Sequence, residues 1–377
     1  MDWRLAKRRL MEKIRIAVIF GGRSGEHEVS LMSARSVLEV LDPQKYKVVQ
    51  IGITSQGEWL SGADVITSFE KKQYQSLSPV ILLPEPRQGQ LYRLQNNALQ
   101  LDQKVDVVFP LVHGTFGEDG TLQGLLELAD VPYVGGGVLA SSVGMDKCLF
   151  KDVMRANGIL VAESLLFTRR NLHEHLEASI RQIEAKLTYP VFVKPANLGS
   201  SVGITKCSNP SSLLEGLLEA ARYDRRVLVE QGVNGREIEI SVLGNEDPIA
   251  SVPGEIEPVE EFYTYSAKYL TNASRLIIPA ALDETTAASI CQIALQAYRA
   301  VDGAGMARVD FLVERGTNRI FLSEVNTIPG FTRISMYAKL WEASGIPYTA
   351  LIDRLVELAF ERKQDRDQTV RVYRSVG

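Results

Sequence analysis

Uninterrupted apolar runs define the first strands that the sequence predicts. Three of them are IRIAVIF, which covers residues 14–20, then YKVVQIGIT and VDVVFPLVHG. Such runs are typical of parallel strands that are buried on both faces. A helical pattern runs from Val29 to Leu41, and a second helix, TLQGLLELAD, follows the third run. Alternating strands and helices predict an N-terminal doubly wound α/β domain that ends near residue 140.

The rest of the chain divides into two further parts by the same patterns. In the first, a helix, DKCLFKDVMRANG, precedes strands at YPVFVKPA, GITKC and RVLVEQ. In the second, the strands EIEISVLG, ARVDFLVE and RIFLSEVN dominate, with helices near 283–301 and 346–362. We therefore expect three domains, which cover residues 1–140, 141–230 and 231–377. A stretch rich in Gln and Pro, roughly 70–100, is expected to be variable.

Composition and charge narrow the class of protein. The chain has 377 residues, of which 45% are hydrophobic and 23% are charged, as in globular proteins. A formal net charge of −4 gives no bulk attraction to nucleic acid or to an anionic membrane. The three cysteines are far apart in the sequence and form no CxxC pair. Together with the lack of a membrane-length apolar run, they favour a cytoplasmic protein with reduced thiols.

The segment ARVDFLVERGTNRIFLSEVN predicts an antiparallel hairpin. If its turn is centred near Thr317, Asp310 lies opposite Glu324 and Arg308 lies opposite Asn326. Since strand side chains alternate between faces, these four side chains share one face of the hairpin. Two facing carboxylates repel each other by up to about 1 kcal/mol, so this face needs a compensating positive charge.

A divalent cation is one way to supply that charge, because Mg²⁺ binds carboxylate, amide and phosphate oxygens. The alternative is an ordinary exposed face on which Arg308 pairs with a carboxylate. The turn at Pro329 and Gly330 favours the metal site, because a glycine there lets backbone N–H groups approach a substrate closely.

A second group of residues has the chemistry of a phosphate site. In VFVKPANLGSSVGITK, Lys194 ends a strand and a loop of glycines and serines follows. Lysine attracts phosphate, and small residues let loop amides close over it. The loop is neither a Walker A motif nor the GxGxxG fingerprint of dinucleotide binding. Lys147, Glu230, Gln231 and Glu237 are further candidates around a nucleotide, although each alone is more typical of a polar surface.

Several motifs together resemble one enzyme family. They are GGRSGEHEVSLMSA, HGTFGEDGTLQGLLEL, GMDK, VKPANLGSSVGITK, YSAKY, ARVDFLV and EVNTIPGFTRISMYAKLWEASGI. In this order they are similar to the D-alanine–D-alanine ligases of the ATP-grasp superfamily, over roughly residues 14–360. The resemblance implies a three-domain ATP-grasp fold, α/β with α+β parts. It also implies that 2 D-alanine and ATP give D-alanyl-D-alanine, ADP and phosphate for bacterial peptidoglycan synthesis, by way of an acylphosphate.

The resemblance also implies roles for the residues that match each motif. ATP would be bound by Lys147, Lys194, Ser201, Glu230, Gln231, Val233, Glu237 and Lys268. Two Mg²⁺ ions, or Mn²⁺ in their place, would be held by Asp310, Glu324 and Asn326. The two D-alanines would contact Glu26, His113, Ser335 and Met336. Catalysis would depend on a hydrogen-bonded set of Glu26, Ser200 and Tyr269, and on Arg308 and the Gly330 amide at the tetrahedral intermediate.

Other expectations concern the lid, the partners and the competing functions. The long polar segment 254–274 is interpreted as a lid that closes over the nucleotide. The resemblance implies a homodimer, with no nucleic-acid or membrane partner. Three alternatives are a D-alanine–D-lactate ligase, a nucleotide-binding regulatory protein without catalysis, and a dinucleotide oxidoreductase. The last lacks its fingerprint, and the second is disfavoured because the carboxylates and the arginine of the hairpin are all present.

Overall fold

The structure, a computed structural model, describes residues 12–86, 89–95, 98–199, 202–258 and 274–371. Four predicted site residues lie outside these ranges: Ser200, Ser201, Lys268 and Tyr269. Most of the predicted lid also lies outside them. Among the helices of the described ranges, none combines the length and the apolar composition that crossing a membrane requires.

The first sheet is mixed. Its strands are β1 (Ile14–Gly21), β2 (Tyr46–Ile53), β3 (Trp59–Ser61), β4 (Ser78–Leu82), β5 (Gln90–Gln95), β6 (Ala98–Lys104) and β7 (Val107–Pro110), in the spatial order β6-β5-β4-β3-β2-β1-β7. β1 pairs in parallel with β2 and β7, as the apolar runs predict. The other strands pair antiparallel. Part of the stretch expected to be variable therefore forms strands, because Val80, Leu82 and Leu91 are buried.

Helices cover both faces of this sheet because β1 is apolar along its length. They are α1 (His27–Leu38), α2 (Val65–Glu70) and α3 (Thr121–Leu128), whereas the next helix, α4 (Val138–Met145), contributes Val143 to a different core cluster, with Val325. Ile16 and Phe20 pack on the same side as α1 and α2, whereas Ala17 and Ile19 pack on the side of α3. The N-terminal part is thus wound on both faces, as predicted.

The second sheet is antiparallel and follows in the middle of the chain. Its strands are β8 (Ser164–Thr168), β9 (Val191–Pro195), β10 (Thr205–Cys207) and β11 (Arg226–Gln231), in the order β10-β9-β11-β8. The helices of this part are α5 (Lys147–Ala156), α6 (Arg169–Glu174), α7 (Leu176–Lys186) and α8 (Pro210–Tyr223). Leu213 and Leu217 of α8 pack in one core cluster with Val193 and Val229 of the sheet.

The third sheet carries the predicted hairpin. Its strands are β12 (Gly235–Leu243), β13 (Ile249–Ala250), β14 (Gly254–Pro258), β15 (Ser274–Ile277), β16 (Met306–Glu314) and β17 (Ile320–Asn326), in the order β15-β14-β12-β16-β17 with β13 beside β12. Helix α9 (Glu284–Ala300) packs on this sheet through Ile290 and Ala294, which lie in one cluster with Ile240 and Val309.

The last two helices bring the C-terminal part of the chain back to the first sheet. They are α10 (Met336–Ala343) and α11 (Tyr348–Arg366). Leu351 and Leu355 of α11 belong to the same core cluster as Ile16 of β1. At the polar end of α11, Arg362 donates to Glu127 at 2.8 Å and to the Tyr133 hydroxyl at 2.8 Å. The loop after β17 is therefore held between the third sheet and the first.

Candidate active site

The hairpin of β16 and β17 has the predicted register at its polar face. Asp310 lies opposite Glu324 and Arg308 lies opposite Asn326, which confirms the pairing. A β-bulge makes this possible, because the next residue, Phe311, pairs with Leu322 and leaves the residue between Leu322 and Glu324 unpaired. The four polar side chains therefore point to one side of the sheet.

Arg308 is held by two carboxylates. Its Nε and Nη2 donate to the Asp310 carboxylate at 2.8 and 2.7 Å, and its Nε lies 3.1 Å from Glu239 Oε2 on the neighbouring strand β12. Burial alone disfavours the charged guanidinium, but Asp310 and Glu239 outweigh it and raise the pKa of Arg308. The side chain is a fixed cation. The sequence did not single out Glu239, which lies 69 positions away.

The oxygen donors on this face suit a hard cation. Asp310 and Glu324 supply carboxylates, and the Asn326 amide donates to them at 3.0 and 3.2 Å. A half-turn of that amide would present its oxygen instead, which completes a set of the kind that Mg²⁺ prefers. Within the described ranges no three His, Cys, Asp or Glu side chains are grouped to hold a metal. Phosphate or water oxygens would therefore have to complete the coordination of an ion bound here.

Glu26 projects into the same cleft from the start of α1. It is buried, with 8% of its surface exposed. A Cβ on Gly114 would lie 2.4 Å from Glu26 Oε2, and a Cβ on Gly199 would lie 2.6 Å from the same oxygen. A side chain at either position would displace the Glu26 carboxylate. The carboxylate of Glu26 is thus enclosed by one loop of the first sheet and one loop of the second.

Glu118 is a site residue that the sequence reasoning missed. It lines the cleft with Glu26, and its Oε2 accepts a hydrogen bond of 2.6 Å from the Gly114 N–H. Burial, and then the nearby charge of Glu26, raise the pKa of Glu118 well above its usual value. The motif HGTFGEDG contains the residue, but an acidic side chain in a glycine-rich loop gives no signal of burial.

Lysines occupy the opposite wall. Lys147 at the start of α5 donates from Nζ to the Leu198 carbonyl at 2.5 Å, and burial lowers its pKa. Lys194 of β9 and Lys151 of α5 both form ion pairs with Glu230 of β11. Lys151 was not predicted, although its spacing of four from Lys147 places both on one helix face.

Glu230 is ionised by these lysines in spite of its burial. Burial opposes its charge, but Lys151 and Lys194 outweigh that effect and lower the pKa of Glu230 to about 2. Lys194 is the better-exposed partner, with 19% of its side chain accessible against 3% for Lys151. Lys194 is therefore the lysine that can turn toward a phosphate while Lys151 keeps Glu230 neutralised.

Three other residues expected around the nucleotide lie near the end of β11. The amide of Gln231 is bound to the backbone of Thr188, accepting from its N–H and donating to its carbonyl, each at 2.8 Å. Val233 and Glu237 are half-buried, the latter on β12. A contact between the Gln231 side chain and adenine would require these bonds to Thr188 to break. The expected roles of Gln231, Val233 and Glu237 at the nucleotide stay predictions.

The loop after β17 forms the floor of the cleft. Pro329 and Gly330 line it. Ser335 is half-buried at the end of this loop, and its hydroxyl donates to the Thr332 carbonyl at 2.6 Å. The Met336 side chain packs in a buried cluster with Ile256 and Leu340 and does not line the cleft. The expected contacts of Ser335 and Met336 with a substrate stay predictions.

His113 lies at the back of the same cleft with 3% of its surface exposed. Both of its ring nitrogens have partners within the protein. Nδ1 lies 3.1 Å from the Ile328 carbonyl oxygen, and Nε2 lies 3.0 Å from the Ser33 hydroxyl. Its ring is therefore fully engaged inside the protein, whatever contact it makes with a substrate.

One cleft thus gathers side chains from distant parts of the chain. It is lined by residues that include Glu26, His113, Glu118, Lys147, Arg308, Glu324 and Gly330. Fixed cations, carboxylates suited to a divalent ion, and a loop that carries Gly330 meet where the sheets converge. Such a site on this fold is that of an ATP-grasp ligase.

Comparisons with known proteins identify the family. The chain matches the family models "D-ala D-ala ligase N-terminus" over residues 15–136 and "D-ala D-ala ligase C-terminus" over residues 153–357. The D-alanine–D-alanine ligase of Natranaerobius thermophilus is 46% identical over 95% of this chain and 98% of its own length. That of Heliobacterium modesticaldum is 48% identical, with the same coverage. The chain belongs to the D-alanine–D-alanine ligase family.

Solved structures agree in fold. The D-alanine–D-alanine ligase of Coxiella burnetii superposes with a TM-score of 0.82 at 38% identity, covering 95% of this chain and 97% of its own. The VanG D-Ala:D-Ser ligase of Enterococcus faecalis also gives 0.82, at 37% identity, covering 92% and 100%. The predicted ATP-grasp fold is confirmed.

Proposed function

We propose that this protein joins two D-alanines at the expense of ATP, giving D-alanyl-D-alanine, ADP and phosphate for peptidoglycan synthesis. Membership of the family supports the reaction. The observation that carries it to this chain is the cleft that unites Glu26, Lys147, Arg308 and Gly330. A carboxylate to receive an ammonium group, a lysine for phosphate and an arginine for an oxyanion are what such a ligation needs.

The first step activates a carboxylate. The first D-alanine binds with its ammonium group on Glu26, and its carboxylate oxygen attacks the γ-phosphorus of ATP. A new O–P bond forms while the bond from phosphorus to the bridging oxygen breaks, so ADP leaves and an acylphosphate remains. Lys147 and Lys194 neutralise phosphate charge during this transfer. To reach a phosphate, Lys194 turns away from Glu230. Glu230 then keeps Lys151 as its partner.

A metal ion belongs to this step by resemblance. Asp310, Glu324 and Asn326 would hold Mg²⁺, or Mn²⁺ in its place, and the ion would neutralise charge on the phosphates. Two ions are implied by the family. Asp310 accepts two hydrogen bonds from Arg308, and Glu239 gives the arginine a second carboxylate partner.

The second step forms the peptide bond. The neutral amine of the second D-alanine attacks the carbonyl carbon of the acylphosphate and a C–N bond forms. Phosphate leaves as the C–O bond breaks, and it takes up the proton that the nitrogen loses. Arg308 and the Gly330 N–H stabilise the negative oxygen of the tetrahedral intermediate. Ser335, at the end of the same loop, binds the carboxylate of the second D-alanine. Met336 follows it in that site.

The remaining site residues stay predictions because they lie outside the described ranges. Ser201 and Lys268 are expected at ATP, and Ser200 and Tyr269 are expected to bond with Glu26. Residues 254–274 would close as a lid and keep water from the acylphosphate. The tight packing of Gly199 against Glu26 supports the placement of Ser200, the next residue, beside that carboxylate.

The nature of the acceptor is tested by direct competition. The protein is incubated with ATP, Mg²⁺ and equal amounts of D-alanine, D-lactate and D-serine, and the products are identified by mass and chirality. We expect D-alanyl-D-alanine to dominate, and a separate incubation with L-alanine as the sole amino acid to give no product. D-serine is included because of the likeness to the VanG D-Ala:D-Ser ligase. Mostly D-alanyl-D-lactate would instead make the chain a depsipeptide ligase.

Assembly, location and domain limits complete the proposal. A homodimer is inferred from the resemblance, and sedimentation velocity at micromolar concentration tests it through the expected mass of two chains. A cytoplasmic location follows from the use of ATP and the separated thiols, and fractionation of cells tests it. Limited proteolysis tests the domain limits that we propose at residues 140 and 230.

A further inference from the structure

Two buried side chains of the N-terminal part bond to the loop that carries Gly330. The Ser33 hydroxyl of α1 lies 3.0 Å from His113 Nε2 and accepts a hydrogen bond of 3.2 Å from the Phe331 N–H. His113 Nδ1 lies 3.1 Å from the Ile328 carbonyl oxygen. Ser33 and His113 are 0% and 3% exposed. Water therefore does not compete for these bonds.

The partners determine where the protons lie. A carbonyl oxygen only accepts, so His113 carries its proton on Nδ1 and donates it to Ile328. Burial lowers the pKa of His113 to about 4, although the bond to Ile328 opposes that shift, so the ring is neutral at pH 7. Nε2 of a neutral ring then has only a lone pair, and it accepts the Ser33 O–H. This leaves the Ser33 oxygen free to accept from Phe331.

The contacts hold the loop at two points that flank Gly330. The Ile328 carbonyl is fixed on one side and the Phe331 N–H on the other. The Phe331 ring is buried and packs edge-on against Phe109 of β7, with ring centroids 5.6 Å apart, which adds apolar contact to the same junction. Between the two points the backbone can vary little, so the direction of the Gly330 N–H is set from the first sheet.

We propose that Ser33 is a positioning residue for the ligation: through its bonds to His113 and Phe331 it holds residues 328–331 so that the Gly330 N–H points to the oxyanion. The inference rests on the proposed function. Ser33 does not touch substrate, and its effect reaches the reaction only through the loop. Ser33 and Phe331 are 298 positions apart in the sequence. The bond between them therefore depends on the packing of the N-terminal part of the chain against the loop after β17.

The first test observes the His113 ring of the wild-type protein directly. The chain has only four histidines, so ¹⁵N-labelled side chains give a simple long-range ¹H–¹⁵N spectrum, in which His113→Gln identifies the signals of His113. We expect a neutral ring protonated on Nδ1 at pH 7, the less common tautomer in water. A ring protonated on Nε2 would overturn the proposal, because it cannot accept from Ser33. The spectrum is recorded without turnover. It therefore tests the hydrogen bonds of His113 even if the proposed ligase activity is absent.

The second test uses Ser33→Ala with Ser30→Ala as a matched control. Ser30 lies one turn earlier on α1, is equally buried and also has two hydrogen-bond partners, the Gly21 N–H and the Leu111 carbonyl. Both variants should lose similar thermal stability. Ser33→Ala should lower kcat at least tenfold, about 1.4 kcal/mol in activation free energy. Its KM for ATP should change less than twofold, since no residue that binds ATP is altered, and the control should keep at least half of the wild-type kcat.

Hydrogen exchange separates positioning from plain stability. The Phe331 amide should exchange at least tenfold faster in Ser33→Ala than in Ser30→Ala at equal temperature. Ser33→Cys, which keeps the size and a weaker donor, should lie between wild type and Ser33→Ala in kcat. Equal kcat and equal exchange in the two alanine variants would leave Ser33 a structural residue and overturn the proposal. If Ser33→Ala does not fold, the same comparison is made with Ser33→Cys.

Discussion

Arg308 and Asp310 form a two-armed hydrogen-bonded pair along a single strand. Both arms of the guanidinium reach the carboxylate, at 2.8 and 2.7 Å, and Glu239 approaches from β12. The pair supplies the positive charge that the facing carboxylates of the hairpin require. The face is not exposed, since only 18% of the Arg308 side chain and 15% of the Asp310 side chain are accessible. The predicted pairing of Arg308 with a carboxylate is nevertheless present, and it is compatible with a metal site because the arginine can neutralise Asp310 until an ion arrives.

Replacing Arg308 by lysine should impair the chemistry more than nucleotide binding. Lysine keeps the charge but loses the planar fork that reaches Asp310 and the oxyanion together. We expect kcat to fall by about two orders of magnitude, as for other lost oxyanion donors, with ATP affinity within threefold of wild type. Arg319→Lys is the control, because Arg319 is also forked onto a carboxylate, Glu314, away from the cleft. A large loss of ATP affinity with intact turnover would assign Arg308 to the nucleotide.

Replacing Glu324 by glutamine should separate folding from metal binding. The change keeps the volume and removes a charge opposite Asp310, so the free energy of unfolding should stay the same or rise by up to about 1 kcal/mol. Calorimetric binding of Mg²⁺ with ADP should weaken at least tenfold, and turnover should fall with it. Glu314→Gln, on the same hairpin, is the control. Unchanged Mg²⁺ affinity would remove Glu324 from the metal site.

Replacing Glu118 by glutamine should make the protein more stable at neutral pH. The folded state raises the pKa of Glu118 above the ordinary value of 4.5, so its contribution is complete below pH 4.5 and is lost as pH rises through the folded pKa. Glutamine carries no charge, and its amide oxygen can still accept from the Gly114 N–H. We expect the variant to be measurably more stable than the wild type at pH 8, with no gain at pH 4.

Urea unfolding at several pH values measures this effect. The control is Glu28→Gln, whose side chain is 61% exposed and lies outside the cleft. It should follow the pH dependence of the wild type. Parallel curves for wild type and Glu118→Gln would mean that Glu118 ionises normally in the folded protein.

Replacing Glu230 by glutamine should have the opposite pH dependence. Lys151 and Lys194 overcome the effect of burial and lower the pKa of Glu230 from 4.5 to about 2, so its stabilisation is present above pH 4.5 and is lost as pH falls toward 2. At pH 7 the variant should be less stable by on the order of 3 kcal/mol, and the difference should shrink steadily below pH 4.5. Glu219→Gln, at an exposed pair with Arg222, should cost almost nothing. A constant difference across this pH range would contradict the assignment.

Sequence periodicity predicted the hairpin face because its residues are neighbours along two strands joined by one turn. Alternation fixes which side chains share a face, and the turn fixes the opposite partners. The bulge beside Asp310 was not predictable, because nothing in RIFLSEVN distinguishes an unpaired residue from a paired one. The register at Glu324 was nevertheless right, since centring the turn near Thr317 gives the pairing that the bulge produces.

The residues that the sequence reasoning missed meet only through tertiary packing. Ser33, Glu118, Lys151 and Glu239 are polar side chains buried by elements that are distant in sequence, and no periodic pattern reports such contacts. Of these residues, only Lys151 could have been found from a local pattern, because it is four positions from Lys147 on the same helix. The strands between Ser78 and Lys104 were missed for a different reason. In β4 only Val80 and Leu82 are buried, and β6 has no buried position, so neither strand carries a strong apolar pattern.

The packing of α11 on the first sheet bears on how the protein is made. β1 emerges from the ribosome among the earliest elements, whereas the helix that covers Ile16 and its neighbours is translated more than 300 residues later. Until then the nascent N-terminal sheet exposes an apolar surface to the cell, for about 15 to 60 s at ordinary rates of synthesis. A chain that stops before Tyr348 lacks this cover permanently, so premature termination there yields a substrate for chaperones and proteases.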